Sequence, residues 1–268
     1  MSVMRIAAMV EYDGAGFAGW QRQRHARSVQ AAVEEALSRV ANEPIAVTCA
    51  GRTDAGVHAT AQVIHFDTDA RRPERAWVLG TNSHLPESVR ILWVREVDPG
   101  FHARFSAQAR AYRYVIASKP VRPALHRERV SWTYKALDAA RMHAAGQCLL
   151  GEHDFSSFRA VACQAKHPIR RIDHLSVSRD GDYLYLDIEA NAFLHHMVRN
   201  IAGVLMTIGS GEQPVEWARQ VLEARDRTQG GVTAPPEGLY LVKVTYPAEF
   251  GIEARGELPA FAWAGRAG

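Results

Sequence analysis

Cysteine is scarce in this chain of 268 residues: Cys49, Cys148 and Cys163 are the only three, and no pair is spaced as C-x-x-C. That excludes a disulfide framework and the common zinc-binding arrangements, and a reducing, cytoplasmic setting is expected. Long apolar runs are also missing. No stretch reaches the roughly 18 residues that a membrane span needs, so no membrane association is expected. The opening "MSVMRIAAMVEYDG" meets charge too soon for a secretory signal. H-E-x-x-H and G-x-S-x-G do not occur, which removes those peptidase and hydrolase signatures. Lysine is rare as well, with 4 against 28 arginines, while the net charge is only +3.

What is present is a hydrophobic content of 47%, enough for one large core or two modest ones. The arginine excess has two readings. It follows from a base composition rich in arginine codons, or it serves a polyanion, since a planar guanidinium grips phosphate and stacks on bases as lysine cannot. The clustering bears on the second. "QRQRHAR", 21–27, contains no acid, nor does "FHARFSAQARAYRY", 101–114, where Arg104, Arg110 and Arg113 alternate with Phe105, Tyr112 and Tyr114. Basic residues interleaved with aromatics suit a nucleic acid whose bases can stack.

The periodicity predicts a β-α-β-β-α-β order in the first part. "MRIAAMVEYDG" reads as a strand. Ser28 caps a helix whose Val29, Ala32, Val33, Ala36, Leu37 and Val40 recur at helical spacing, with Pro44 beyond its end. "IAVTCAG" and "VHATAQVIHFDT" read as strands, the latter with Val57, Ala59, Ala61, Val63 and His65 on one face. "RPERAWVLGTNSHLP" begins as a helix, and "VRILWVREV" is a strand. That order is the ferredoxin-like signature. The second part repeats it loosely: strand "ARAYRYVIAS", helix "KALDAARMHAAGQCLLG" ended by Gly151, a hairpin turning at Asp180-Gly181, helix "AFLHHMVRNIAGVLMTIGSG", helix "PVEWARQVLEARD" and a last strand "GLYLVKVTY". The expected fold is α+β: two ferredoxin-like, RRM-like halves with antiparallel sheets and helices, 1–104 and 105–268, with a catalytic cleft between them. The tail from about residue 247 shows no pattern and is expected to be a loop or a contact with a partner chain.

Three features compete for function. "GAGFAG", 14–19, fits the dinucleotide-binding fingerprint, but no helix opens there and the next strand ends without an acid. These glycines are expected instead to build a flexible, basic loop. His195 and His196, adjacent on a predicted helix, point to different faces, and His58 and His65 lie on a strand without nearby cysteine. Packing or hydrogen-bonding roles are expected for all four, and no metal site. The third is "GRTDAGVHA", 51–59. Its plain reading is a glycine-flanked turn in which Asp54 bonds local backbone N–H groups. Against that, Thr53 and Asp54 lie at a strand end, and Arg52 can share a face with Asp54 on extended backbone. A lone Arg199 sits among Phe193, Met197, Val198, Ile201 and Val204, where a buried cation calls for a carboxylate partner. Asp54 is a candidate for it. A carboxylate held by a guanidinium stays ionised and suits nucleophilic attack better than acid catalysis.

"GRTDAGVHATAQVIHF" resembles the catalytic motif of the bacterial tRNA pseudouridine synthase A family. The likeness extends through "EYDGAGFAGWQRQ", "SVQAAVEEAL", "FHARFSAQARAYRYVI", "DFSSF", "EANAFLHHMVRNIAGVLMTIGSG" and "GLYLVKVTY", and is weak only in 120–135 and beyond about 247. The resemblance implies an isomerase that converts uridine to pseudouridine at positions 38, 39 and 40 of the tRNA anticodon stem-loop. It implies no metal or organic cofactor, and a homodimer with tRNA lying across both subunits. Carried over by motif, Asp54 is the catalytic carboxylate, Tyr112 stacks on the target base and Arg199 pairs with Asp54. Arg52 fills the space that a flipped base leaves, or holds phosphate. Whether the carboxylate adds to the uracil ring or to the ribose carbon stays open. A single carboxylate suffices because no water is activated, in contrast to glycoside hydrolysis. A non-catalytic RNA-binding protein on the same fold would explain the arginines and aromatics but not an anion, Asp54, beside bound RNA. A nucleotide-dependent oxidoreductase rests on "GAGFAG" alone.

Overall fold

A computed structural model describes residues 3–161, 163 and 165–261. The chain divides into two compact units: the described residues of Met1–Arg110 with Tyr240–Leu258, and Ala111–Leu239 with the chain from Pro259 onward. The expected division at residue 104 is linear. In the structure the segment 240–258 returns to the first unit.

The first unit contains β1 (Met4–Tyr12), α1 (Val29–Ala41), β2 (Thr48–Cys49), β3 (His58–Thr68), α2 (Glu74–His84) and β4 (Val89–Val97). β1 lies between β4 and β3, antiparallel to both, and β2 pairs antiparallel with β3. This is the order and direction that β-α-β-β-α-β implies. β2 is shorter than the sequence predicts, because only Thr48 and Cys49 pair, with His65 and Ile64. Ser28 caps α1 as expected by accepting a hydrogen bond from Ala31 N–H, and Asn42 ends it in the left-handed conformation. The apolar stripe of α1 then buries Val29, Val33, Ala36 and Leu37.

β3 departs from the half-buried strand that alternation suggests. Both of its faces are covered: Phe66 meets Trp77 of α2 edge-on at 5.4 Å, while His65, on the opposite face, meets Phe101 and His102. Gln62 and Ile64 are fully buried with the predicted set.

The second unit begins within β5 (Ala109–Ser118) and runs through β6 (Ser131–Thr133), α3 (Ala139–Gly146), β7 (Gly151–Asp154), β8 (Ile169–Asp180), β9 (Tyr183–Ala190) and α4 (Met197–Gly209) to α5 (Trp217–Ala224). Its sheet order is β5-β9-β8-β7, with β6 parallel on β5. β8 and β9 form the expected hairpin. Asp180 pairs with Tyr183, so Gly181 and Asp182 are the two loop residues, one position later than the expected Asp180-Gly181 turn. α3 stops at Gly146 rather than running to Gly151, and Gly151 opens β7. α4 starts at Met197, five residues later than its apolar pattern implies. His195 and His196 therefore precede the helix, with ring centroids 4.0 Å apart instead of on different faces, and His196 takes φ 62° at the N-cap.

β10 (Leu239–Thr245) and β11 (Ala254–Arg255) complete the first unit. β10 runs parallel to the start of β3, Tyr240 opposite His58, and β11 pairs with β10. Part of the tail that sequence left without pattern is thus ordered by strand pairing, while 262–268 lie outside the described residues. Among the described residues no helix is long and apolar enough to cross a membrane.

Candidate active site

Asp54 sits on the loop between β2 and β3, and the surrounding sequence fixes that loop's backbone from three sides. Asp54 C=O accepts from Val57 N–H at 3.2 Å, closing a four-residue turn. Gly56, third in that turn, has φ 77°, a conformation that a type II turn reserves for glycine. Gln62, fully buried on β3, brackets the residue ahead of Arg52: its Nε2 donates to Gly51 C=O at 2.6 Å, and its Oε1 accepts from Gly51 N–H at 3.2 Å. The hydroxyls of Tyr12 and Thr53, both buried, share a hydrogen bond of 2.8 Å. A buried amide with both ends satisfied by the N–H and C=O of one residue gives the loop a position rather than a range of positions.

The third side is the glycine run that mimicked a dinucleotide fingerprint. Trp20 N–H donates to Thr53 C=O at 3.0 Å. Gly19, at φ 100°, lies so close that a Cβ there would stand 2.8 Å from Thr53 O and 3.1 Å from the carbonyl carbon of Asp54. Gly14 meets the Val57 backbone in the same way, and its N–H donates to His58 Nδ1 at 3.0 Å. These glycines are there for close backbone approach. The expectation of a flexible loop is corrected at Gly14, Gly19 and Trp20, which pack against residues 53–58, while Ala15 and Gly16 stay exposed. As expected, no helix opens there; α1 begins only at Val29.

The arginine-rich segment that follows is the exposed part. Residues 21–27 all face solvent. Arg22 reaches back to the buried Glu34 on α1 at 2.6 Å, and its N–H donates to Gln30 Oε1. Arg27 lies over the Phe17 ring at 5.5 Å.

The side chains that sequence singled out are placed as follows. Asp54 is half-buried and Arg52 exposed, both on the first unit. Tyr112, on β5 of the second unit, is 9% exposed, and its ring meets Phe193 edge-on at 5.1 Å. Arg199, in the first turn of α4, is half-buried. Its Nε donates to Ala234 C=O at 2.8 Å, and Ala234 N–H donates back to Arg199 C=O at 3.1 Å. A backbone carbonyl thus meets part of the demand that sequence assigned to a carboxylate. Two of the cysteines are kept from forming thiolates: burial pushes the Cys49 thiol up to about 12, and burial also raises Cys148. Sequence reasoning missed Gln62, Tyr12 and Gly19. A glutamine in the middle of an apolar strand was the available signal for the first, because a buried amide needs partners.

Residues 8–106 and 145–247 match the family described as tRNA pseudouridine synthase. Curated relatives carry the name tRNA pseudouridine synthase A, three of them as follows. The Aeromonas hydrophila protein is 62% identical over 249 residues, 93% of each chain. The Nitrosococcus oceani protein is 58% identical over 260 residues, 97% of this chain and 100% of the relative. The Pseudomonas aeruginosa protein is 58% identical over 260 residues, 97% of this chain and 91% of the relative.

Proposed function

Since the chain belongs to the tRNA pseudouridine synthase family, we propose that it isomerises uridine to pseudouridine in tRNA, at positions 38, 39 and 40 of the anticodon stem-loop. The observation that carries the reading is the Asp54 turn: a half-buried aspartate on a backbone held by Gln62, Trp20 and Gly19, two residues along the chain from the exposed Arg52. Nucleophilic or base chemistry needs a carboxylate whose position is set before substrate arrives.

The reaction is an isomerisation and its balance is simple. The bond between the ribose carbon and the ring nitrogen breaks, and a bond from the same ribose carbon to a ring carbon forms. The proton on that ring carbon leaves and the ring nitrogen gains one. No water is consumed, nothing is oxidised, and one carboxylate can act as the transient nucleophile, on the uracil ring or on the ribose carbon. The target base must leave its stack to be reached. In this reading Tyr112 stacks on it and Arg199 pairs with the Asp54 carboxylate. Arg52 fills the vacated space or holds phosphate. Support for Arg199 is its half-buried place on an apolar helix. The exposed 21–27 segment binds phosphates. No cofactor or metal takes part, and the protein acts in the cytoplasm as a homodimer.

Mapping pseudouridine in tRNA incubated with the protein tests the activity, and modification confined to positions 38–40 is expected. Asp54→Asn should lower turnover by at least about 10³-fold while tRNA binding is kept. A protein that binds tRNA and leaves every uridine unchanged would be a binding module instead. Arg199→Ala should lose both activity and stability; an active, equally stable variant would remove the pairing.

A further inference from the structure

Phe105 is an exposed ring on a rigid mount. Its side chain belongs to a residue 76% exposed, and among the described residues no other phenylalanine is exposed. One face of the ring stacks on His102, with centroids 4.3 Å apart and planes 28° apart. His102 lies 4.7 Å from the buried His65, which meets the fully buried Phe101 edge-on. A ladder of rings therefore runs from the core of the first unit to solvent and ends at Phe105.

The turn beneath it is closed by hydrogen bonds. His102 Nδ1 accepts from both Arg104 N–H and Phe105 N–H, and Ala103 is held by His65 Nδ1 and by the Tyr246 hydroxyl. The Arg110 guanidinium donates to Arg104 C=O at 2.6 Å, to Ala107 C=O at 3.0 Å and to Ala50 C=O at 3.1 Å. It thus staples the turn to the strand end that leads into Arg52 and Asp54. The exposed Arg104 places its guanidinium carbon 5.6 Å from the Phe105 ring centre.

We propose that this turn is a second RNA-contacting platform, separate from the Asp54 loop, on which an unpaired base of the bound tRNA stacks against Phe105 while Arg104 meets the adjoining phosphate. A phenyl ring offers no hydrogen bond, so the platform accepts any base by its face and contributes affinity and register rather than sequence choice. An acid-free stretch with arginine beside the ring favours a polyanion over a protein surface. The proposal rests on tRNA being the substrate.

The test uses the full-length protein and an unmodified tRNA transcript at fixed ionic strength. Phe105→Ala and Phe105→Leu are each expected to weaken tRNA binding about 5–100-fold, and Phe105→Trp to stay within about threefold of the parent. The slope of log affinity against log salt should be unchanged in the Phe105 variants and smaller by about 1 in Arg104→Gln. Parent-like binding by Phe105→Leu would overturn the platform, because leucine keeps the apolar surface and loses only the ring. Weaker binding accompanied by a fall in particle mass on light scattering would also overturn it, making Phe105 a contact between copies. Pseudouridine formation by the parent in the same tRNA keeps the two readings apart. If the parent modifies the tRNA and Phe105→Ala binds it unchanged, the platform falls alone. If the parent neither binds nor modifies it, the proposed function falls and takes the platform with it.

Discussion

Residues 51–57 and 21–27 are both polar loops of the first unit, and they are held in opposite ways. The first is clamped by a buried glutamine, a tryptophan N–H and a glycine too close to carry a side chain. The second is exposed throughout and tethered through Arg22 to Glu34. The contrast follows the chemistry proposed for each. A reacting carboxylate loses rate steeply when misplaced by an ångström. Charges that meet a phosphate backbone act over a Debye length of about 8 Å and tolerate movement.

The largest way to break that contrast is Gly19→Ala. A Cβ at φ 100° is strained and meets the Thr53–Ala55 backbone, so unfolding free energy should fall by about 1–3 kcal/mol. Turnover should fall further than stability, because the group displaced is the Asp54 turn. Chemical denaturation and single-turnover kinetics on the same variant check both halves.

Gln62→Leu removes the bracket while nearly keeping volume. It strands the Gly51 N–H and C=O groups, at about 1–3 kcal/mol, and is expected to reduce turnover with tRNA affinity unchanged. Equal loss of both would mean that Gln62 serves the whole unit rather than the turn.

Acid separates the regions next. Burial, then the neighbouring His102 and Arg5, push the His65 imidazole down to about 4 from an ordinary 6.5. Its folded value is the lower one, so between those values the unfolded chain holds more protons. The stability that this group contributes is complete above about pH 6.5 and is lost as pH falls towards 4. Urea midpoints should drop across that window, less steeply in His65→Asn, which keeps an acceptor for Ala103 N–H. The exposed 21–27 loop is expected to leave this profile unchanged.

The smallest structural effect belongs to the open loop. Arg24→Gln with Arg27→Gln should alter stability by no more than about 0.5 kcal/mol and reduce the salt slope of tRNA binding by about 2. A melting temperature lowered as far as in Gly19→Ala would erase the distinction between the loops.

Much of the architecture could be read in advance where local pattern and tertiary context agree. Ser28 and the apolar stripe of α1, and the β8–β9 hairpin at Gly181, all act over a few residues, and each forms as expected. Reading failed where a distant segment decides. The pattern around His195 looked helical, yet a left-handed His196 starts α4 five residues late. "GAGFAG" looked like a nucleotide loop or a flexible one, because nothing nearby says that Thr53–Val57 packs against it.

By itself, then, the sequence determined most of the elements of the two α+β units, the acid-free arginine segments, the family, and Asp54 with Tyr112, Arg199 and Arg52 as the residues to test. Periodicity, charge and motif are written in neighbouring residues, and side-chain chemistry does not depend on who packs where. Only the tertiary structure decided that 240–258 belongs with the first unit, that Gln62 and Gly19 lock the Asp54 turn, and that Phe105 caps a ring ladder in solvent. Those facts join residues up to nearly two hundred positions apart, as Tyr240 and His58 are. Close packing and hydrogen-bond satisfaction, not local preference, choose such partners.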